Sequence, residues 1–256
     1  MSPERLTRVL LSLPDVGCRT SWLREELYGL ELEAAADLLN SLCEQSERSD
    51  PKAREALLTV AMLLASLGEC DFVAKLRQQA THRHLLSLDR LIRPMPDAVE
   101  RARPADELPV PDYGVGRELT LGERRSLARR PDRRAFDRLL ADPHPLVIRQ
   151  LLINPKLTED DVVRLATIRP ARVEVMREIA ASMRWLCRGR IRLSILFNPG
   201  APSTLAMPLL GLCTRAELKQ VVQNTRTNGV LRTTARELLD RRPPLGEPDG
   251  ADYVLQ

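Results

Sequence analysis

Two Asn-Pro corners, Asn154-Pro155 and Asn198-Pro199, each close a short apolar segment, and they limit what the second half of this chain can form. A residue before proline avoids the α region, so neither segment can continue as a helix past its asparagine. The first segment opens at Pro145, which suits a first helical turn because its missing N–H is no loss there. Leu146, Val147, Ile148, Leu151, Leu152 and Ile153 follow, interrupted only by Arg149 and Gln150. A helix apolar over most of its circumference needs neighbours on several sides. Thr158-Glu-Asp-Asp161 then reads as a capping box with Asp in the usual Glu position. It opens an amphipathic helix with Val162, Leu165 and Ala166 on one face, closed by Pro170.

A looser copy follows. Ile191 to Phe197 is again compact and apolar, Asn198-Pro199 ends it, and Pro202-Ser203-Thr204 opens a helix carrying Leu205, Leu209 and Leu210. Leu165 and Leu209, like the two asparagines, are 44 positions apart. Pro208 inside this run predicts a kink or a late start. A third copy begins at Thr214-Arg-Ala-Glu217, a T-x-x-E capping box, turns at Asn228-Gly229 and ends with Ala235, Leu238 and Leu239. Arg149, Arg192 and Arg232 occupy comparable places. A period of about 40–47 residues with two or three helices per unit is the pattern of α-solenoids, whose units cannot bury their own apolar faces and must stack.

The Asn-Pro corners after V-R-x-x-L-like helices, each followed by a capped helix, resemble HEAT-like and leucine-rich-repeat-variant bacterial solenoids over residues 133–242. That resemblance implies a helical array used as an interaction surface. Some leucine-rich-repeat-variant proteins carry an N-terminal cysteine cluster for an iron–sulfur centre; this chain has no such cluster. Its five cysteines, Cys18, Cys43, Cys70, Cys187 and Cys213, are odd in number, and no two lie two to four apart. Neither a disulfide framework nor a metal site is signalled, and the pattern reads as buried thiols in a reducing, cytoplasmic setting.

The expected fold class is therefore all-α, an α-solenoid of stacked helix pairs with an N-terminal helical module. Leu, Ala, Val and Ile supply the interior; aromatics are 3% of residues, and there is no period-2 run. The expected division is a helical module over 1–93, a proline-rich linker over 94–118, helical repeats over 119–242 and a tail over 243–256. In the module, helices are predicted from Ser2-Pro3 to Leu13, Ser21 to Gly29, Leu30 to Gln45, Asp50-Pro51 to Gly68, Asp71 to Ala80 and Thr81 or His82 to Arg93. In the linker, Tyr113-Gly-Val-Gly116 is expected to dock locally; its G-x-G lacks the preceding strand and third glycine of a nucleotide loop. Thr120 to Leu140 is read as one resumed helix.

Catalytic motifs are not found. There is no nucleophile elbow, P-loop, H-E-x-x-H or EF-hand spacing. His82 and His84 fall on different faces of a helix, and His144 sits at a helix start. Glu159, Asp160 and Asp161 lie in a first helical turn, where acids favour the dipole. Trp22 and Trp185 could stack on a base or ligand; Trp185, just before an inner helix, is assigned to packing. No cofactor, small-molecule substrate or membrane partner is expected; the longest apolar run, Leu57 to Leu67, is short of a membrane span.

Charge supplies the remaining clue. The net charge is +4, and between Arg117 and Arg192 eighteen bases face ten acids. Arg124, Arg125, Arg129, Arg130, Arg133 and Arg134, with Arg188, Arg190 and Arg192, are the candidate phosphate- or partner-contacting residues. The reading is a non-enzymatic scaffold or adaptor for another protein. The alternative is a nucleic-acid binder using the arginine strip through backbone charge.

Overall fold

A computed structural model describes residues 1–95 and 108–242. The expected tail at 243–256 and most of the proline-rich linker lie outside the described residues. Among those described there are sixteen α-helices and no strand, so the chain is all-α. It forms two compact units: Met1–Pro96 together with Ser203–Gln256, and Asp97–Pro202.

The first unit is built on a helix that is apolar nearly all round. Its helices are α1 (Pro3–Ser12), α2 (Val16–Gly29), α3 (Leu32–Glu47), α4 (Pro51–Leu67), α5 (Asp71–His82) and α6 (Leu86–Ile92). Three more come from the far end of the chain. Asp50 caps α4 by accepting from the Ala53 N–H at 2.9 Å, and Pro51 fills the first turn. Gly68, at φ 62°, stops it where a side chain would strain the backbone. Between those stops every residue from Ala56 to Ala65 is buried, so α4 needs partners on all sides, and α1, α2 and α3 supply some of them.

The rest come from α14 (Ser203–Leu212), which packs on α3, α4 and α6, followed by α15 (Arg215–Gln223) and α16 (Gly229–Arg241). The compact units are drawn elsewhere than the expected boundaries: the stretch read as a third copy belongs to the unit of the N-terminal helices, and Asp97–Pro202 forms the other unit. The cause is burial: nine of the ten α14 residues are buried, Pro208 among them, and the helix runs through that proline. Gly211 permits the closeness, since a Cβ there would meet Leu57 Cδ2 at 3.0 Å. Two starts also shift. Capped by Asp15 through the Cys18 N–H, α2 begins at Val16, five residues before the expected start, and His84 at φ 54° delays α6.

The second unit holds α7 (Leu121–Arg129), a 3-10 turn at Arg133–Ala135, α8 (Phe136–Ala141), α9 (Pro145–Leu152), α10 (Glu159–Thr167), α11 (Val173–Ala180), α12 (Met183–Leu186) and α13 (Gly189–Leu196). One helix was expected from Thr120 to Leu140. Pro131 breaks it by holding Arg130 extended at ψ 136°. The helices fall into two rows, α7, α9 and α11 in one and α8, α10 and α13 in the other.

One device recurs along both rows. The last carbonyls of a helix have no partner within it. Here a side chain at or after the end of the next helix in the row donates to them. Asn154, after α9, gives its Nδ2 to the Ala128 and Arg130 carbonyls at the end of α7, both at 2.8 Å. Arg172, after α10, reaches the Ala141 and Asp142 carbonyls after α8 at 3.0 and 3.1 Å. Trp185 Nε1, in α12, donates to Leu152 O in α9 at 2.8 Å. Asn198, after α13, reaches Ala166 and Ile168 in and after α10 at 2.9 and 3.1 Å. The two asparagines also use their Oδ1 alike, accepting from Lys156 N and Gly200 N. Gly200 is required at its corner because a Cβ would overlap that of Ala171. Asn154 and Asn198 are 2% and 4% exposed, so water cannot substitute for them. Asn154→Ala and Asn198→Ala should each cost about 1–3 kcal/mol, the cost of leaving buried carbonyls unpaired. Urea unfolding with an unchanged denaturant slope is the check.

Candidate interaction surface

Two of the nine arginines singled out from sequence are buried, and four more bond side chains of neighbouring helices at the surface. Arg124 is buried, its Nη1 2.7 and 2.8 Å from the two oxygens of a fully buried Asp142. The same carboxylate accepts from the Tyr113 hydroxyl at 2.6 Å, and Arg138 donates to the Tyr113 carbonyl. Tyr113 thus docks its segment on α8 and on the Asp142 that ends it, as its pattern suggested. Burial pushes the Tyr113 hydroxyl well above its ordinary range, with the Asp142 carboxylate adding to the effect. Arg192 is also buried and donates to the Leu186 and Cys187 carbonyls at the end of α12. Neither Arg124 nor Arg192 is therefore a surface contact.

The others divide between pairing and exposure. Arg133 holds Asp161 at 2.9 Å and lies 5.0 Å over the Phe136 ring. Arg188 holds Glu159 at 2.8 Å, Arg190 holds Asp160 at 2.9 Å, and Arg129 donates to Gln150 at 2.9 Å. Arg125 is half-buried with an unpaired Nε. Arg130 and Arg134 are exposed and form no ion pair among the described residues. The break at Pro131 explains the difference from the expected strip: spacings of three and four residues across it do not describe one helix face.

The three acids of the first α10 turn have the structural role expected of them. Asp161 completes the capping box, its Oδ2 accepting from the Thr158 N–H and hydroxyl. Desolvation pushes its carboxyl up, but Arg133 and Thr158 outweigh that and hold it below the usual range. Glu123 does the same at α7: Arg117, first, and the Thr120 N–H and hydroxyl hold its carboxyl down at about 2. His144 caps α9, accepting from the Leu146 N–H.

One edge of this unit was not visible from sequence. Ile153, counted there with the apolar helix, follows the end of α9 and is 66% exposed. Around it the Asn154 corner gathers Arg130, Lys156 and Arg184. Arg130 and Asn154 meet through the carbonyl bond described above, Lys156 N bonds Asn154 Oδ1, and Arg184 approaches the Asn154 carbonyl at 3.4 Å. The guanidinium of Arg184 lies 4.5 Å over the Trp185 ring.

No known protein family, curated protein or solved structure matches this chain. Its chemistry must be read from its own residues. Among the described residues no group of His, Cys, Asp and Glu is placed to hold a metal ion, and the five cysteines form no disulfide; Cys43 and Cys213 are buried, whereas Cys18 is exposed. No helix among them is long and apolar enough to cross a membrane.

The first unit contains a separate charged cluster, around Glu47. Arg90 donates to both Glu47 oxygens at 2.9 and 2.8 Å, Ser87 to one at 3.0 Å and Arg241 at 2.6 Å. A cavity of about 20 Å3 lies beside it, lined also by Cys43, Ser46 and Met207 and wide enough for about one water. The buried Ser46 hydroxyl there has no protein partner. Glu47 and Arg90 are both buried, so Glu47→Gln leaves Arg90 with only the more distant Glu237 carboxylate at 3.9 Å and should cost about 3–5 kcal/mol. Pairing it with Arg90→Met should recover most of that loss in a double-mutant cycle.

Stability should also depend on Glu123 in acid. Its folded pKa lies below its ordinary 4.5, so its charged form contributes above that pH and loses the contribution as pH falls towards 2. The melting-temperature difference between the protein and Glu123→Gln should shrink across that window, and calorimetry at stepped pH measures it.

Proposed function

We propose that the chain is a non-enzymatic adaptor that binds a protein partner on the surface of its second unit, a short solenoid of the HEAT-like or leucine-rich-repeat-variant kind. The observation that supports this most is the recurring helix-end bond, in which Asn154, Arg172, Trp185 and Asn198 each tie one helix to its predecessor in the row. Such ties hold short helices in register and offer a preformed surface, so little ordering entropy is spent on binding. Buried Asn154, Asn198 and Asp161 in this unit are occupied in holding helix ends and a capping box.

The arginine surplus favours a second reading, contact with nucleic-acid phosphates. Ion pairing weakens it: Arg133, Arg188 and Arg190 each hold an acid of α10. No aromatic ring stands free among these arginines to stack on bases, since Trp185 and Phe136 are 1% and 2% exposed.

The two readings separate by capture. The purified, nuclease-treated protein, cross-linked at low salt in cell extract, should retain a discrete protein that survives salt washing. Recovery of nucleic acid alone, with binding lost steeply as salt rises, would reject the adaptor reading.

A further inference from the structure

We propose that the edge at the Asn154 corner docks an acidic segment of a partner protein that also carries an aliphatic side chain. This rests on the adaptor reading and specifies its partner. Three exposed basic residues adjoin this corner, Arg130 through its main-chain carbonyl, Lys156 through its main-chain N–H and Arg184 through its guanidinium, and none forms an ion pair among the described residues. That sets them apart from neighbouring Arg133 and Arg188, which already hold the carboxylates of Asp161 and Glu159. The edge therefore binds carboxylates of its own chain and has unspent cations for more.

Two further observations shape the ligand. Arg184 is stacked on the buried Trp185 ring, which holds its fork in place before any carboxylate arrives. A pre-ordered guanidinium loses less entropy on forming paired bonds to a carboxylate. Ile153, 66% exposed, immediately precedes Asn154 in the chain and offers an apolar contact at the same corner. A phosphate backbone supplies none, whereas a segment mixing Glu or Asp with Leu or Val supplies both.

Fluorescence anisotropy of the full chain tests this with three labelled probes: a short peptide alternating Glu and Leu, the same peptide with Gln for Glu, and oligo-dT. The Glu–Leu peptide should bind about tenfold or more tighter than the Gln–Leu peptide, the scale expected for charge-assisted pairs. Arg130→Glu with Lys156→Glu should abolish that preference, and Ile153→Ser should weaken binding of both peptides. All three side chains are exposed, and matched melting temperatures would confirm that the fold is kept. Arg169→Glu, on the other row, should change nothing. Glu–Leu binding unaffected by the edge variants, or no binding at all, overturns the edge and leaves the adaptor reading to its capture experiment. Oligo-dT binding tighter than the Glu–Leu peptide, and lost in the Arg130 and Lys156 variant, overturns the partner chemistry and counts against the adaptor reading as well.

Discussion

The helices of the second unit are too short to stand alone, and the carbonyls at their ends are their weakest point. Isolated helices below about 12–15 residues are marginal in water. Here α7, α9, α10, α11 and α13 run eight or nine residues each. Several residues at each helix end point carbonyls out of the helix, a large fraction of so short an element. The unit meets this by having each helix supply a donor for the one before it in the row. Asn154 and Asn198 do so with an amide, Trp185 with an indole N–H and Arg172 with a guanidinium. The chemistry differs while the placement recurs, so the constraint is a donor at that site and not a particular residue.

Arginine carries the same burden in the first unit. Arg242, after α16, donates to the Cys213 and Gly211 carbonyls at the end of α14, and Arg54 donates to Leu212 between them. Arg215 caps Leu239 and Arg242 in turn, Arg77 reaches Ile92 and Arg19 reaches Leu13. A cation at a helix C-terminus also meets the negative end of the dipole. Burial, with Arg54 nearby, pulls the Arg242 guanidinium down to about 10, so it keeps its charge near neutrality. Much of the arginine content is thus accounted for by helix ends and by acids on adjacent helices.

That division of labour explains what could be read without coordinates. Local signals were legible: the capping boxes at Thr158 and Thr214, the Asn-Pro corners, Asp50-Pro51, and Gly68 as a stop. Each depends only on residues within a few positions. The fate of an arginine was not legible, because it depends on which carbonyl or carboxylate another helix brings near. Arg124 and Arg130 lie six residues apart in the same basic run, yet one is buried on Asp142 and the other faces water. Ile153 shows the converse. Its apolar character suggested burial, but it lies beyond the last turn of α9, where the chain is already turning towards the corner.

Assignment of the third copy follows from the same distinction between local and distant information. Thr214 opens α15 with the same box as Thr158 opens α10, so the local pattern invited a continued array. What decides is the helix before it. Val162, Leu165 and Ala166 leave α10 a wet face, as a member of a row requires, whereas α14 is apolar around its circumference from Leu205 to Leu210. A row offers a helix neighbours on part of its surface only. Full burial requires a core with helices on several sides, and α3, α4, α6 and α16 provide one. Repeated caps determine where helices start and stop; the width of the apolar face determines which unit they join.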